Sequence, residues 1–389
     1  MLAWIAEVLD QLSVDGLRRR RRITRYLGDG HCEIEGHRLL DFASNDYLNL
    51  ASDPRVTAAA IEALNQGSLG ARASALVSGR SDWHERLECR IALFESQPEA
   101  LLFPTGMAAN VGVVTALCGP DDLVLADRLN HASLVDGCRL SNAQLRIYRH
   151  DDLSTLEREF RKYSGTGRRW IVTDGVFSMD GDLAPLPDLC QIAKAHDAEL
   201  IVDEAHGTGV FGDHGRGACE ALGVEELVAV RVGTLSKSIG CQGGFVAGSP
   251  DLIDFLWNRA RTQIYSTALA PAVCAGALAA IDILEAEPWR RDRLKSASRF
   301  FREKLVAAGL GGTVASTSPI VPVILHDPQA AVTVADALEN RGFLVGAIRP
   351  PTVPRGTSRL RIVITAAHSD DDLGRLAAAI RDELAALQI

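Results

Sequence analysis

Two periodicities alternate along most of this chain. From about residue 54, short apolar runs at 100–103, 123–126, 145–148, 170–173, 200–202, 228–232 and 244–246 read as strands. Between them, stretches such as 83–95, 108–117, 153–163 and 186–196 repeat apolar residues every three or four positions, as helices do. This alternation predicts an α/β fold, a largely parallel sheet with helices on both faces, and ligands in such sheets sit at the carboxyl ends of the strands.

The two ends of the chain read differently. Leu2, Ile5, Leu9, Leu12 and Leu17 predict an N-terminal helix running to about Arg22 and ending in the run Arg18-Arg19-Arg20-Arg21-Arg22. That run fits either a solvated helix end, where cations favour the dipole, or a site for a polyanionic substrate. A hairpin follows, with Glu33-Ile34 and Arg38-Leu39-Leu40 around Gly36. After Pro271 two long helices, 272–287 and 289–308, lead to a smaller α+β unit with strands at 320–325, 343–347 and 360–364 and helices at 330–340 and 370–387. The expected division is an N-terminal segment 1–45, a large domain 46–270 and a C-terminal part 271–389.

Composition narrows the function. A 389-residue chain that is 47% hydrophobic can bury a full core. Its net charge of -9 argues against general binding to nucleic acid or anionic membranes. Neither a run of 18 apolar residues nor a basic start with an apolar stretch is present, so a soluble cytoplasmic protein is expected. The eight cysteines are scattered singly, without metal-ligand spacing, and read as reduced thiols; no metal is expected.

Lysine is scarce, and one stands apart. Lys162, Lys194, Lys295 and Lys304 lie in amphipathic helical contexts, whereas Lys237 follows an apolar strand in Gly233-Thr234-Leu235-Ser236-Lys237-Ser238-Ile239-Gly240. Small residues and hydroxyls around an amine suit a turn beside a phosphorylated ligand, and a desolvated lysine becomes a usable nucleophile. Asp203 ends the apolar strand before Glu204-Ala205-His206-Gly207, at a carboxyl edge. An Asp-Glu-Ala-His stretch also occurs in ATPases, but the phosphate loop those enzymes need is absent here. Phe103-Pro104-Thr105-Gly106-Met107 reads as a strand-turn-helix junction whose N–H groups could cradle a phosphate. His131, in Asn130-His131-Ala132-Ser133, opens another helix. Phosphate turn, aromatic ring, strand-end aspartate and lysine thus follow one another along the chain.

These residues carry a resemblance. Ser44-Asn45-Asp46-Tyr47-Leu48, Val77-Ser78-Gly79, Asn130-His131-Ala132-Ser133, Gly175-Val176-Phe177-Ser178-Met179-Asp180-Gly181, the 203–209 stretch and 234–237 resemble the motifs of the α-oxoamine synthases, over residues 17–368. That family belongs to the fold-type-I transferases dependent on pyridoxal 5'-phosphate. The resemblance implies a large domain with a mostly parallel seven-stranded sheet, a homodimer, and decarboxylative condensation of an amino acid with an acyl thioester. It implies that Lys237 carries the cofactor and serves as the base, that Asp203 pairs with the ring nitrogen, and that His131 stacks on the ring. His206 and Ser178 would lie near the phenolic oxygen. Gly106, Met107 and Thr234 would hold the phosphate, with Thr267 reaching it from the other subunit. Asn45 and Arg349 resemble contacts to the amino-acid carboxylate, and Arg18 and Thr352 contacts to the acyl substrate, which tilts the arginine run toward a substrate role.

The segment Ile348-Arg349-Pro350-Pro351-Thr352-Val353-Pro354 is similar to the branch that joins L-alanine to a pimeloyl thioester. A glycine-using branch, an aminotransferase and a non-catalytic cofactor-binding protein are the alternatives. Ala75 stands after Ser74 where many relatives have arginine, which leaves the acyl pocket less defined.

Overall fold

The computed structural model describes residues 2, 4–67, 69–150, 152–310 and 316–387. It divides into two compact units: a larger one, 50–178 with 182–291, and a smaller one joining the chain up to Asn49 with 179–181 and everything from Asp292 onward.

The N-terminal helix is shorter than its periodicity suggests, spanning only Trp4–Val14, and it buries none of its residues. Gly16 ends it: with φ at +66° it adopts a left-handed conformation, and Leu17 N–H turns back to the Leu12 carbonyl at 2.8 Å. Arg18–22 therefore lie outside the helix, and the helix-dipole explanation of that run fails. The hairpin is formed by β2 (His31–Ile34) and β3 (His37–Asp41), with β1 (Thr24–Gly28), not anticipated from the pattern, antiparallel to β2.

In the larger unit, β4 (Glu99–Phe103), β5 (Leu123–Asp127), β6 (Gln144–Tyr148), β7 (Arg169–Asp174), β8 (Glu199–Asp203), β9 (Val230–Thr234) and β10 (Gly244–Gly248) form one sheet in the order β4-β10-β9-β8-β7-β5-β6. Only β10 runs antiparallel to its neighbours. The strand expected from residue 228 starts at Val230, because Glu225–Leu227 closes a tight 3₁₀ turn first. Both faces of the sheet are covered. Leu123 and Leu125 pack with Leu200 and Val202 on one side, while Val124 and Ala126 pack with Ile201 and Val232 on the other. This alternation is the two-residue period of a strand buried on both faces. Helix Pro271–Ala286, expected to lead into the C-terminal unit, belongs to the larger one and packs on helix Pro54–Gln66.

In the smaller unit, β11 (Ile320–His326), β12 (Phe343–Leu344), β13 (Gly346–Ile348) and β14 (Ser358–Val363) follow. The single strand expected at 343–347 is split. β12 pairs in parallel with β3, whereas β13 crosses to the sheet β11-β14-β13, so two sheets share one apolar run.

Candidate active site

The carboxyl ends of β4, β5, β7, β8 and β9 lie along one edge of the larger sheet. A cavity of about 240 Å³ opens there, lined by Gly106, Met107, His131, Asp203, His206, Thr234 and Lys237 from among the residues singled out in the sequence. Asn110, Ser133 and Asp174 line it as well. The right-handed connections of a parallel sheet return each strand to the same edge, which is how residues more than a hundred positions apart meet.

Each wall of the cavity has a local cause. Helix Gly106–Leu117 is capped by Thr105, whose side chain accepts from Ala108 N–H at 3.0 Å and whose carbonyl accepts from Ala109 N–H at 3.0 Å. The N–H groups of Gly106 and Met107, in the first turn after that cap residue, are the helix-start donors suited to an anion. Gly106 lies close to the facing strand end, since a Cβ there would come within 3.1 Å of Thr234 Oγ1, a tight contact. Thr234 Oγ1 donates to the Gly243 carbonyl at 2.9 Å and lies 2.8 Å from Ser236 Oγ, which puts two hydroxyls opposite that helix start. Lys237 begins a turn closed by Gly240 N–H to its own carbonyl at 2.8 Å. Gly240 has φ +71°, and a Cβ on it would meet Ala51 N at 2.4 Å, so this turn admits little but glycine.

Asp203 is buried, and both its oxygens are occupied: Ala205 N–H donates to Oδ1 at 2.7 Å and Asn110 Nδ2 to Oδ2 at 2.6 Å. Asp174 is its register partner on β7, also buried, and accepts His131 N–H at 2.9 Å. Burial, with the neighbouring Asp203 charge second, holds the Asp174 carboxyl well above the usual carboxylate range. Desolvation lowers the His131 imidazole below its ordinary value, against the pull of Asp203.

The remaining candidates lie elsewhere. Ser178 is buried but does not line the cavity. Thr267 is exposed, pairs with Ser74 through an isolated bridge, and is also outside it. Asn45, Arg349, Arg18 and Thr352 belong to the smaller unit. There Asn45 Oδ1 accepts from Arg361 at 3.1 Å and from the Tyr47 hydroxyl at 3.3 Å. Arg349 donates to the Gly16 carbonyl, Arg19 reaches Thr352 Oγ1 at 3.5 Å, and Arg18 reaches Ser13 Oγ at 3.2 Å. Sequence reasoning missed Asn110, Ser133 and Asp174. Asp174 carried the same signal as Asp203, an aspartate ending an apolar strand, and Asn110 lies one helical turn beyond Gly106.

The cavity therefore offers an amine, a buried carboxylate, a ring-bearing wall and anion-binding N–H and hydroxyl groups. This donor set fits pyridoxal phosphate, whose phosphate, ring nitrogen and aldehyde need those partners. Residues 37–380 match the family "Aminotransferase class I and II". A Marinobacter nauticus protein called 8-amino-7-oxononanoate synthase is 46% identical over 96% of this chain and 95% of its own length. One from Geobacter sulfurreducens, named alike, is 45% identical over 97% and 96%. Among solved structures, a serine palmitoyltransferase from S. paucimobilis with bound PLP–myriocin superposes with a TM-score of 0.94 at 31% identity, covering 99% of this chain and 98% of that one. An 8-amino-7-oxononanoate synthase from Francisella tularensis gives 0.78 at 31% identity, covering 90% and 99%.

Proposed function

The chain belongs to the 8-amino-7-oxononanoate synthases, within the class I and II aminotransferase family, and on that premise we propose how its residues divide the work. The reaction joins L-alanine to a pimeloyl thioester, on coenzyme A or a carrier protein, and releases CO2 and the free thiol. Its product, 8-amino-7-oxononanoate, is a biotin precursor. Pyridoxal phosphate supplies the electron sink, accepting the electron pair left at the amino-acid α-carbon.

Lys237 is the anchoring amine, and once free its Nζ takes the α-proton of alanine. Asp203 holds a proton on the cofactor ring nitrogen, a role supported by its burial and by the two donors that fix its carboxylate. His131 covers the ring face, while His206 attends the phenolic oxygen and Ser178 supports that side from behind the cavity wall. The Gly106 and Met107 N–H groups grip the phosphate, joined by the Thr234 hydroxyl once it turns from the Gly243 carbonyl. Thr267 adds a contact to the partner subunit's phosphate in a homodimer, consistent with its exposure outside its own cavity. Arg349 and Asn45 bind the alanine carboxylate, for which a guanidinium fork is suited. Arg18 and Thr352 meet the acyl substrate. No helix among the described residues is long and apolar enough to cross a membrane.

The observation that carries this division is the convergence of Lys237, Asp203, His131 and a helix start on one cavity. Mass analysis of products from cofactor-loaded protein tests it. L-alanine with pimeloyl-CoA is expected to yield their sum less CO2 and the thiol. Product from glycine with acetyl-CoA alone would move the chain to a different branch.

A further inference from the structure

Three hydrogen bonds in the cavity wall form a continuous chain. Asn110 Nδ2 donates to Asp203 Oδ2 at 2.6 Å and to Ser133 Oγ at 2.9 Å, and Ser133 Oγ lies 2.6 Å from His131 Nδ1. The direction of each bond follows from proton count. Reversing the amide would set Asn110 Oδ1 2.6 Å from a carboxylate oxygen, so the NH₂ group must face Asp203. Its second hydrogen goes to Ser133 Oγ, which then acts as acceptor there and has one hydrogen left to give. The available acceptor is His131 Nδ1, which also takes the Ser133 backbone N–H at 3.3 Å. Two donors aimed at Nδ1 leave no room for a proton on it. Asn110 and Ser133 are themselves buried, at 3% and 0% exposure, so water does not offer the hydroxyl an easy alternative.

We infer that Asn110 and Ser133 are positioning residues that lock His131 as the neutral tautomer protonated on Nε2, and tie that lock to the charged state of Asp203. This rests on the roles given above to Asp203 and His131. A neutral His131 adds no second cation beside Lys237, and its Nε2–H remains a hydrogen-bond donor through the pH range in which a free imidazole would charge. The groups acting on it come from four directions: Asp203 on β8, Lys237 after β9, Asp136 on its own helix, and Asp174 on β7 through the His131 N–H. Burial lowers its proton affinity in the same sense as the two donors.

The test is ¹⁵N-histidine NMR of the holoenzyme, with the His131 signal identified by its loss in His131→Asn. The expected result is an Nε2–H tautomer that resists protonation below its ordinary pKa. Ser133→Ala should raise that pKa by roughly one unit and shift the acid limb of the kcat profile by the same amount, with KM for alanine little changed. Ser133→Thr, which keeps the hydroxyl, should restore it, and Asn110→Ala should move it the same way by less. A proton on Nδ1 in the unmodified enzyme, or an unchanged pKa and tautomer in both Ser133→Ala and Asn110→Ala, overturns the inference. If Ser133→Ala does not fold, the unmodified tautomer and Asn110→Ala decide. The NMR signal needs no substrate, so a failed condensation assay would count against the reaction and leave this result standing.

Discussion

In the larger unit, the groups around the cavity hold one another. Asp203 is fixed by Asn110 and Ala205, His131 by Ser133 and Asp174, and Thr234 by Gly243. In the smaller unit, the run of arginines after the N-terminal helix is held more loosely. Arg18 and Arg19 meet only hydroxyls, and among the described residues no carboxylate pairs with Arg20 or Arg21. Groups that shape a developing charge must be oriented before reaction, because reorienting them during it would raise the barrier. Groups that recognise a charged substrate work best with charge left unneutralised for the ligand. The contrast separates preorganised chemistry from open recognition.

The sharpest way to break that contrast is at Lys237. Lys237→Ala is expected to lower condensation by at least ~10³-fold, measured as product mass per enzyme, since no other cavity group offers the same amine. Activity within tenfold of the unmodified enzyme would remove the preorganised site as the seat of chemistry. Next comes Asp203→Asn, which keeps shape but loses charge. A fall of roughly 10²-fold in kcat is expected, with KM for alanine changing much less.

Acid should act with opposite sign on one buried group in each unit. His368, in the smaller unit, is buried, stacked on Phe42 at 4.0 Å, and pushed down to about 4 by desolvation. Its folded form binds a proton less readily than the unfolded chain. The stability it preserves is whole above about pH 6.5 and lost as pH falls toward 4, on the order of 3 kcal/mol in all. Asp174 in the larger unit behaves oppositely: its raised pKa means that acid relieves a buried charge. Hydrogen exchange between pH 7 and pH 5 is expected to rise first in peptides from 316–387, and His368→Gln should flatten that response. Equal loosening of both units would refute the difference.

The smallest effect is expected at Arg349. Arg349→Lys keeps the charge but loses the planar fork, and a roughly tenfold rise in KM for alanine with kcat nearly constant is expected. If kcat fell instead, Arg349 would belong with the preorganised groups.

Much of this was legible in the chain itself. All seven strands of the large sheet were readable because each is a short apolar run bounded by polar turns, and Lys237, Asp203, His131 and Gly106 each stand just past the end of one. Asn110 was not legible, since an asparagine on an apolar helix carries no period of its own and gains meaning only where Asp203 meets it. The N-terminal helix was overextended because Leu17 continued the spacing, while the left-handed Gly16 that stops it leaves no mark in an apolar period.

The order of apolar and polar residues by itself determined the α/β architecture, the strand ends and the kinds of chemistry waiting at them, because those depend on spacing along one segment. Only the tertiary structure decided that Asp174 stands beside Asp203, that one run at 343–348 serves two sheets, and that Asn110 and Ser133 join Asp203 to His131. Those facts depend on strand order and on hydrogen bonds between segments far apart in the chain, and a one-dimensional pattern does not encode which neighbour each strand will find.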